Sequence, residues 1–304
     1  ISSVDKVDIS NVDIRNSDKG ISISGVDSIY FENINLNSTN YGIKIENSGF
    51  ASLESVHIDE NDTGIEVSSS DSLIISNSVI KKSTNRGLKS SETHVIIDDS
   101  ELSTNVTGIQ FNSTDSDSLY LNGVELDSSS EHGIVVGSYN ENIKVVIHNS
   151  TFTNNTSNQY GAIIKNSRSP LEIHDSRFAN NYSQNGGNIY NDQSGSSIII
   201  TGSTFTNNDG NYYDGSVIRT DSDLSITDCV FMLNTGNVLG GYQSNSSADI
   251  TILNSIIWNN TIIGNSFNNI NVSVSYSCIE GSYSGTGNTN LLPHFCNPFE
   301  YPLT

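Results

Sequence analysis

Paired carboxylates are the residues of this 304-residue chain whose type and spacing could do chemistry. Asp115-Ser-Asp117 and Asp221-Ser-Asp223, the second with Arg219 nearby, could gather oxygen ligands for Ca2+. A cation held there, with a basic residue beside it, could support removal of the proton α to a uronate carboxylate. Asp98-Asp99, Glu131-His132-Gly133 and Asn142-Ile-Lys144 could instead supply acid, base and charge for glycoside hydrolysis. That reaction needs two carboxyl groups roughly 5–9.5 Å apart across a sugar. Each of these runs also reads as ordinary turn residues with a solvated lysine. With 34 acidic against 13 basic side chains and a net charge of −21, the chain repels a polyanionic substrate unless cations intervene. The expectation is therefore no enzyme and no cofactor, with Ca2+ as the one ion left open.

Other reactive side chains are sparse. The six His sit mostly in separate segments, but His148 and His174 should stack on one another. Three Cys are too few for a disulfide framework and too scattered for a zinc site. Cys278 and Cys296 could pair in an oxidising compartment. Eleven Asn-x-Ser/Thr sequons occur, no more than the composition produces by chance. Asn149 is expected to be locked in the fold, whereas Asn154, Asn155 and Asn181 fall in loops where a glycan could be attached.

The elements that position these residues follow from composition and repetition. Only 34% of residues are hydrophobic and 15% charged; the remaining polarity is 41 Asn, 52 Ser and 21 Thr. Intrinsic disorder favours Pro, Glu, Lys and Gln instead, and the apolar residues here are mostly Ile, Val, Leu and Phe, which suit strands. No sustained 3.6-residue pattern exists, and no apolar run is long enough to span a membrane. Nucleic acid is an unsuitable partner for so acidic a chain. No secretory leader precedes the first apolar pattern, so the chain reads as a mature product or a piece of a longer one.

A repeat sets the architecture. One apolar column runs Ile14, Leu36, Ile58, Ile80, Leu102, Leu126, Phe152, Phe178, Phe205, Phe231, Ile257 and Ile279, at steps of 22 to 27 residues. Three residues earlier runs a small or polar column from Asn11 to Tyr276, and a third column is Gly followed by an apolar residue, as in Gly42-Ile43 and Gly64-Ile65. A coil of this size cannot bury its apolar side alone, whereas stacked coils can. The expectation is an all-β parallel β-helix of about twelve coils. The small-polar column would form an internal ladder, and Gly would supply φ > 0 at another turn. Coils are narrow to about residue 135 and wider after it, all in one domain over residues 1–280. Residues 281–304, with Pro293, Pro298 and Pro302, form an irregular cap of the same domain.

In the wider section the sequence reads Phe152-Thr-Asn-Asn155, Phe178-Ala-Asn-Asn181 and Phe205-Thr-Asn-Asn208, followed by Gly161-Ala-Ile163, Gly186-Gly-Asn-Ile189 and Gly215-Ser-Val-Ile218. These repeats resemble the Phe-x-x-Asn and Gly-Gly-Ala-Ile repeats of polymorphic outer-membrane-protein-type adhesins. The final stretch, with Leu292-Pro-His-Phe295, is similar to the end of secreted right-handed β-helix surface proteins, where Asp-Pro-Leu-Phe is usual. The resemblance implies a right-handed coil, a pectin-lyase-like fold and an extracellular or cell-surface location. Polygalacturonases of that fold use Asn-Thr-Asp, Asp-Asp, His-Gly and Arg-Ile-Lys on one face; Asp98-Asp99 and His132-Gly133 resemble two of these but fall at different turns of the coil, Asn-Thr-Asp is absent, and Lys144 lacks the arginine.

The function expected is a structural or adhesive stalk, with a polysaccharide lyase or hydrolase as the alternative and a viral or phage fibre as a further one. Its partners would be a glycan or host-surface ligand, a larger surface assembly, or further copies of itself. In the last case Val7, Ile9 and Ile14 of the first coil would meet Leu291, Leu292, Phe295 and Phe299 of the next copy head to tail, extending a filament.

Overall fold

The computed structural model describes residues 4–37, 40–114, 117–137, 143–191, 196–210, 215–241, 248–263 and 271–293. All elements among them are strands, and every pairing is parallel. The apolar column stacks as the spacing predicts: Ile14 pairs with Leu36, Leu36 with Ile58, and so on through Phe152, Phe178, Phe205 and Phe231 to Ile279. A stack of parallel rungs lets identical positions lie about 4.8 Å apart, so like side chains pack on like.

A 21-stranded sheet forms one long wall, from Val4–Arg15 through Val26–Asn37 to the final pair Asn271–Ser275 and Cys278–Ile279. Each of its rungs bends once, and from Ser72–Ser76 with Val79–Lys81 onward the two limbs are separate strands. An 11-stranded sheet, from Ile21–Ser24 to Thr261–Ile263, closes the opposite side, giving about eleven turns. A short third sheet of Thr156–Ser157, Tyr182–Ser183 and Asp209–Gly210 lies in the wider section. The core is the tube between the walls. The rings of Phe152, Phe178, Phe205 and Phe231 are fully buried there, stacked at 4.9, 4.6 and 4.7 Å with planes within 9° of parallel.

Two expectations about the corners are corrected. The small-polar column is not an internal ladder. Asn11, Asn33, Ser55, Asn77, Asp99, Asn149, Asp175, Asp228 and Asn254 are exposed, with φ between 45° and 57°. Each inserts one outward residue into the alternation of the strand, so the side chain after it, not its own, turns inward. The glycines are also needed for a different reason along much of their column. Gly42 and Gly64 have no positive φ; a Cβ on Gly42 would stand 2.5 Å from the carbonyl oxygen of Gly64 in the next coil. Close approach of backbones excludes a side chain there. Only further on, at Gly161, Gly187 and Gly215, does the column take positive φ.

Toward the C-terminal end the chain folds back on its last rung. Tyr276 N–H donates to Thr286 O at 2.8 Å, and Ser277 N–H donates to Asn288 Oδ1 at 3.0 Å.

Candidate functional site

The residue after each left-handed corner forms a ladder inside the wall. Along the bend of the long sheet it is mostly serine. Ser150 N–H donates to Ser176 Oγ, Ser176 N–H to Ser203 Oγ and Ser255 N–H to Ser277 Oγ, each at 3.1 Å. Each hydroxyl in turn donates to the carbonyl two residues before it, as Ser176 does to His174 O at 2.7 Å. A second corner uses Ser48, Ser70 and Thr93 in the same manner. Cys229 takes a serine's place, and burial pushes its thiol up to about 12, which leaves it protonated and unreactive.

The third corner is an amide ladder. Asn155 N–H donates to Asn181 Oδ1 at 3.0 Å, Asn181 N–H to Asn208 Oδ1 at 3.1 Å and Asn208 N–H to Asn234 Oδ1 at 2.9 Å. Their Nδ2 groups donate to Leu126 O, Phe152 O and Phe178 O at 3.0 Å. Ser83 and Ser129 occupy the same column, and their shorter side chains leave buried hydroxyls without a partner. Asn155 and Asn181 are thus buried with both amide atoms engaged, which corrects their reading as glycosylation sites. Asn154, one residue earlier, is exposed at a left-handed corner and donates to Asp127 Oδ1 at 2.8 Å. Asn149 is exposed as well, contrary to the expectation that the fold locks it in.

Among the described residues, those singled out for chemistry fall on different sheets and coils; Asn142 lies outside the described residues. Asp98 and Asp99 lie at the bend of the long sheet, while His132 and Gly133 belong to the opposite sheet. Lys144 is paired with Glu172 at 2.8 Å. Asp117 accepts from Ser113 Oγ at 2.7 Å; several coils further along, Asp221 is buried and Asp223 accepts from the backbone N–H of Asp249 in the next coil. Asp115 lies outside the described residues, and among those described no group of three or more His, Cys, Asp or Glu could hold a metal. His148 and His174 stack at 4.6 Å as expected. Their planes are 20° apart, so the ring nitrogens point alongside each other rather than converging on one ion.

Cys278 is a free thiol whose Sγ donates to Leu291 O at 3.1 Å; its expected partner Cys296 lies outside the described residues, as do Phe295 and Phe299. Leu291 and Leu292 are exposed, at 74% and 65%. Val7, Ile9 and Ile14 are half-buried, where their counterparts in the second coil are fully buried.

Electrostatics single out two histidines. Burial holds His132 and His148 below the ordinary imidazole value, and for His148 the neighbouring His174 adds to the effect. A histidine depressed in the fold stabilises it above the unfolded value of about 6.5, and this contribution is lost as pH falls through the folded value. The melting temperature should therefore drop on acidification from about pH 7 to about pH 5, and His132→Gln should flatten that drop. A melting temperature equally pH-dependent in wild type and variant would contradict this assignment.

Comparison with known proteins agrees with this geometry. Residues 1–146 match a family described as a right-handed beta helix region. Over 94% of its length the chain is similar to full-length tailspike protein 2 of Escherichia coli O157:H7 bacteriophage CAB120, at 12% identity and a TM-score of 0.51. It spans 42% of that tailspike's length. HetL, a pentapeptide repeat protein of the cyanobacterium Nostoc sp. strain PCC 7120, is similar at 10% identity and a TM-score of 0.27, over 91% of this chain and 92% of its own. No curated protein matches the sequence. The fold is a right-handed parallel β-helix.

Proposed function

We propose that this right-handed β-helix is a stiff structural rod at a cell or particle surface, a stalk that carries an adhesive face or holds a partner at a distance. The observation that carries the reading is the continuity of its internal ladders. Serine, asparagine and phenylalanine columns tie coil to coil along the tube, so bending would break buried hydrogen bonds as well as apolar contacts. Eleven steps of about 4.8 Å give a rod of about 50–55 Å. The excess of acidic side chains keeps such a surface soluble. The fold likeness to a phage tailspike extends the same reading to a particle surface, and a polysaccharide lyase or hydrolase is the competing role.

Antibodies raised against the chain should label intact, unpermeabilised cells or particles of its source. The purified protein should leave acidic and neutral polysaccharides at their original chain length. Label that appears only after permeabilisation, or shortening of a polysaccharide, would overturn the proposal.

A further inference from the structure

On the second limb of the long sheet, a strip of outward-facing residues is buried. Phe178, Phe205 and Phe231 point into the tube, so the residues on either side of each point out. Yet Ala179, Thr204, Thr206, Val230 and Met232 are only 1% to 9% exposed. Val79, Thr151 and Thr153, outward in the same two columns of earlier rungs, are half-buried. Ser103, at 8%, is an exception among those rungs and sits between Lys81 and Asp127. Rung neighbours alone do not bury a large outward residue: Ile96, between Ile74 and Tyr120 on the other limb, is half-buried. Ile256, Trp258 and Cys278 continue the two columns toward the C-terminal end. The described strands all form walls of the tube, so none of them lies over this strip.

The chain itself passes the upper end of the strip. Ile279 N–H donates to Thr289 O at 2.8 Å, and Cys278 Sγ donates to Leu291 O at 3.1 Å. The residues after Pro293 carry Phe295, Phe299, Tyr301 and Leu303 at short intervals. Residues 294–304 can reach up to about 36 Å, whereas the three rungs from Cys278 down to Thr204 span about 14 Å. Pro298 and Pro302 lack an N–H, which fits a segment laid on side chains and not paired to a sheet edge. The other segments of these rungs that lie outside the described residues join elements elsewhere. Residues 192–195, 242–247 and 264–270 connect the 11-stranded sheet to the other limb, and 211–214 follow the short third sheet.

We propose that residues 294–304, which lie outside the described residues, seat on this strip as an outer strap that ties the last rungs of the limb to one another. The contact is apolar on apolar: the rings and the leucine of the segment take Val230, Met232 and the methyls of Thr204 and Thr206 out of water. Phe295 and Phe299 are thereby engaged within their own chain. Without the strap, the strip is a contiguous apolar flank of the rod.

Met232 and Trp258 are the single methionine and the single tryptophan of the chain, paired on adjacent rungs of the strip, so each is a site-specific probe. In a chain ending at Pro293, hydrogen peroxide should convert Met232 to its sulfoxide at least about tenfold faster than in the full chain, as read by peptide mass. Trp258 emission should move to longer wavelength. Cys229, buried inside the wall beside Val230, is the control and should resist a thiol reagent in both chains. If it reacts in the shortened chain, the tube itself has opened, and full-length Phe295→Ser/Phe299→Ser carries the same test. Met232 oxidised at the same rate with and without the segment would overturn the proposal. So would protection in the shortened chain that grows with its concentration, which makes a second copy the occupant.

Discussion

Phe178→Ala should lower the unfolding free energy by about 3–5 kcal/mol. The ring is fully buried between Phe152 and Phe205, at 4.9 and 4.6 Å between centroids. Its neighbours are fixed by the rungs above and below, so the wall cannot collapse into the space the ring leaves. The cost then includes the cavity as well as the lost transfer free energy. Urea unfolding followed by far-UV circular dichroism measures it. A loss under about 1 kcal/mol would mean that the stack relaxes and that coils are not held at fixed spacing.

Asn208→Asp is expected to cost about as much, for a different reason. The side chain accepts from Asn181 N–H and donates through Nδ2 to Phe178 O and Asn234 Oδ1, all inside the tube. Aspartate keeps the shape and the acceptor but loses the donor. It sets oxygen against oxygen at Phe178 and Asn234, and it buries a charge unless it takes up a proton. Leaving buried groups unsatisfied costs about 1–3 kcal/mol each, so a loss of about 3–5 kcal/mol is expected near neutral pH. Part of it should return in acid, where the protonated carboxyl can donate again. If the aspartate variant were as stable as wild type, the amide ladder would be packing material and not a hydrogen-bonded column.

The register of the coils was legible in the sequence because side-chain stacking repeats identical positions. The apolar column from Ile14 to Ile279 is the set of residues that pair. The corners were not legible to the residue. Strict alternation from Ile147 makes Asn149 point inward. The left-handed turn at Asn149 resets the parity, so Ser150 enters the wall and donates to Ser176. Asn154 and Asn155 look alike as sequons, yet one is an exposed corner and the next is a ladder rung. Gly42 looks like a turn glycine because close backbone approach and positive φ select the same residue. The dispersal of the candidate site was partly legible. The repeat already placed Asp98-Asp99 and His132-Gly133 at different positions of the coil, but the burial of Asp221 had no signal in the sequence.

A stack of coils is a stiff rod only if its corners are as firmly bonded as its strands. Residue-resolved amide hydrogen exchange on the intact chain tests that most directly. The backbone N–H groups of Ser150, Ser176, Asn155, Asn181 and Asn208, all donors to the side chain of the next coil, should exchange as slowly as strand amides such as those of Ile147 and Ile173. Fast, loop-like exchange at these corners beside slow exchange in the strands would contradict it.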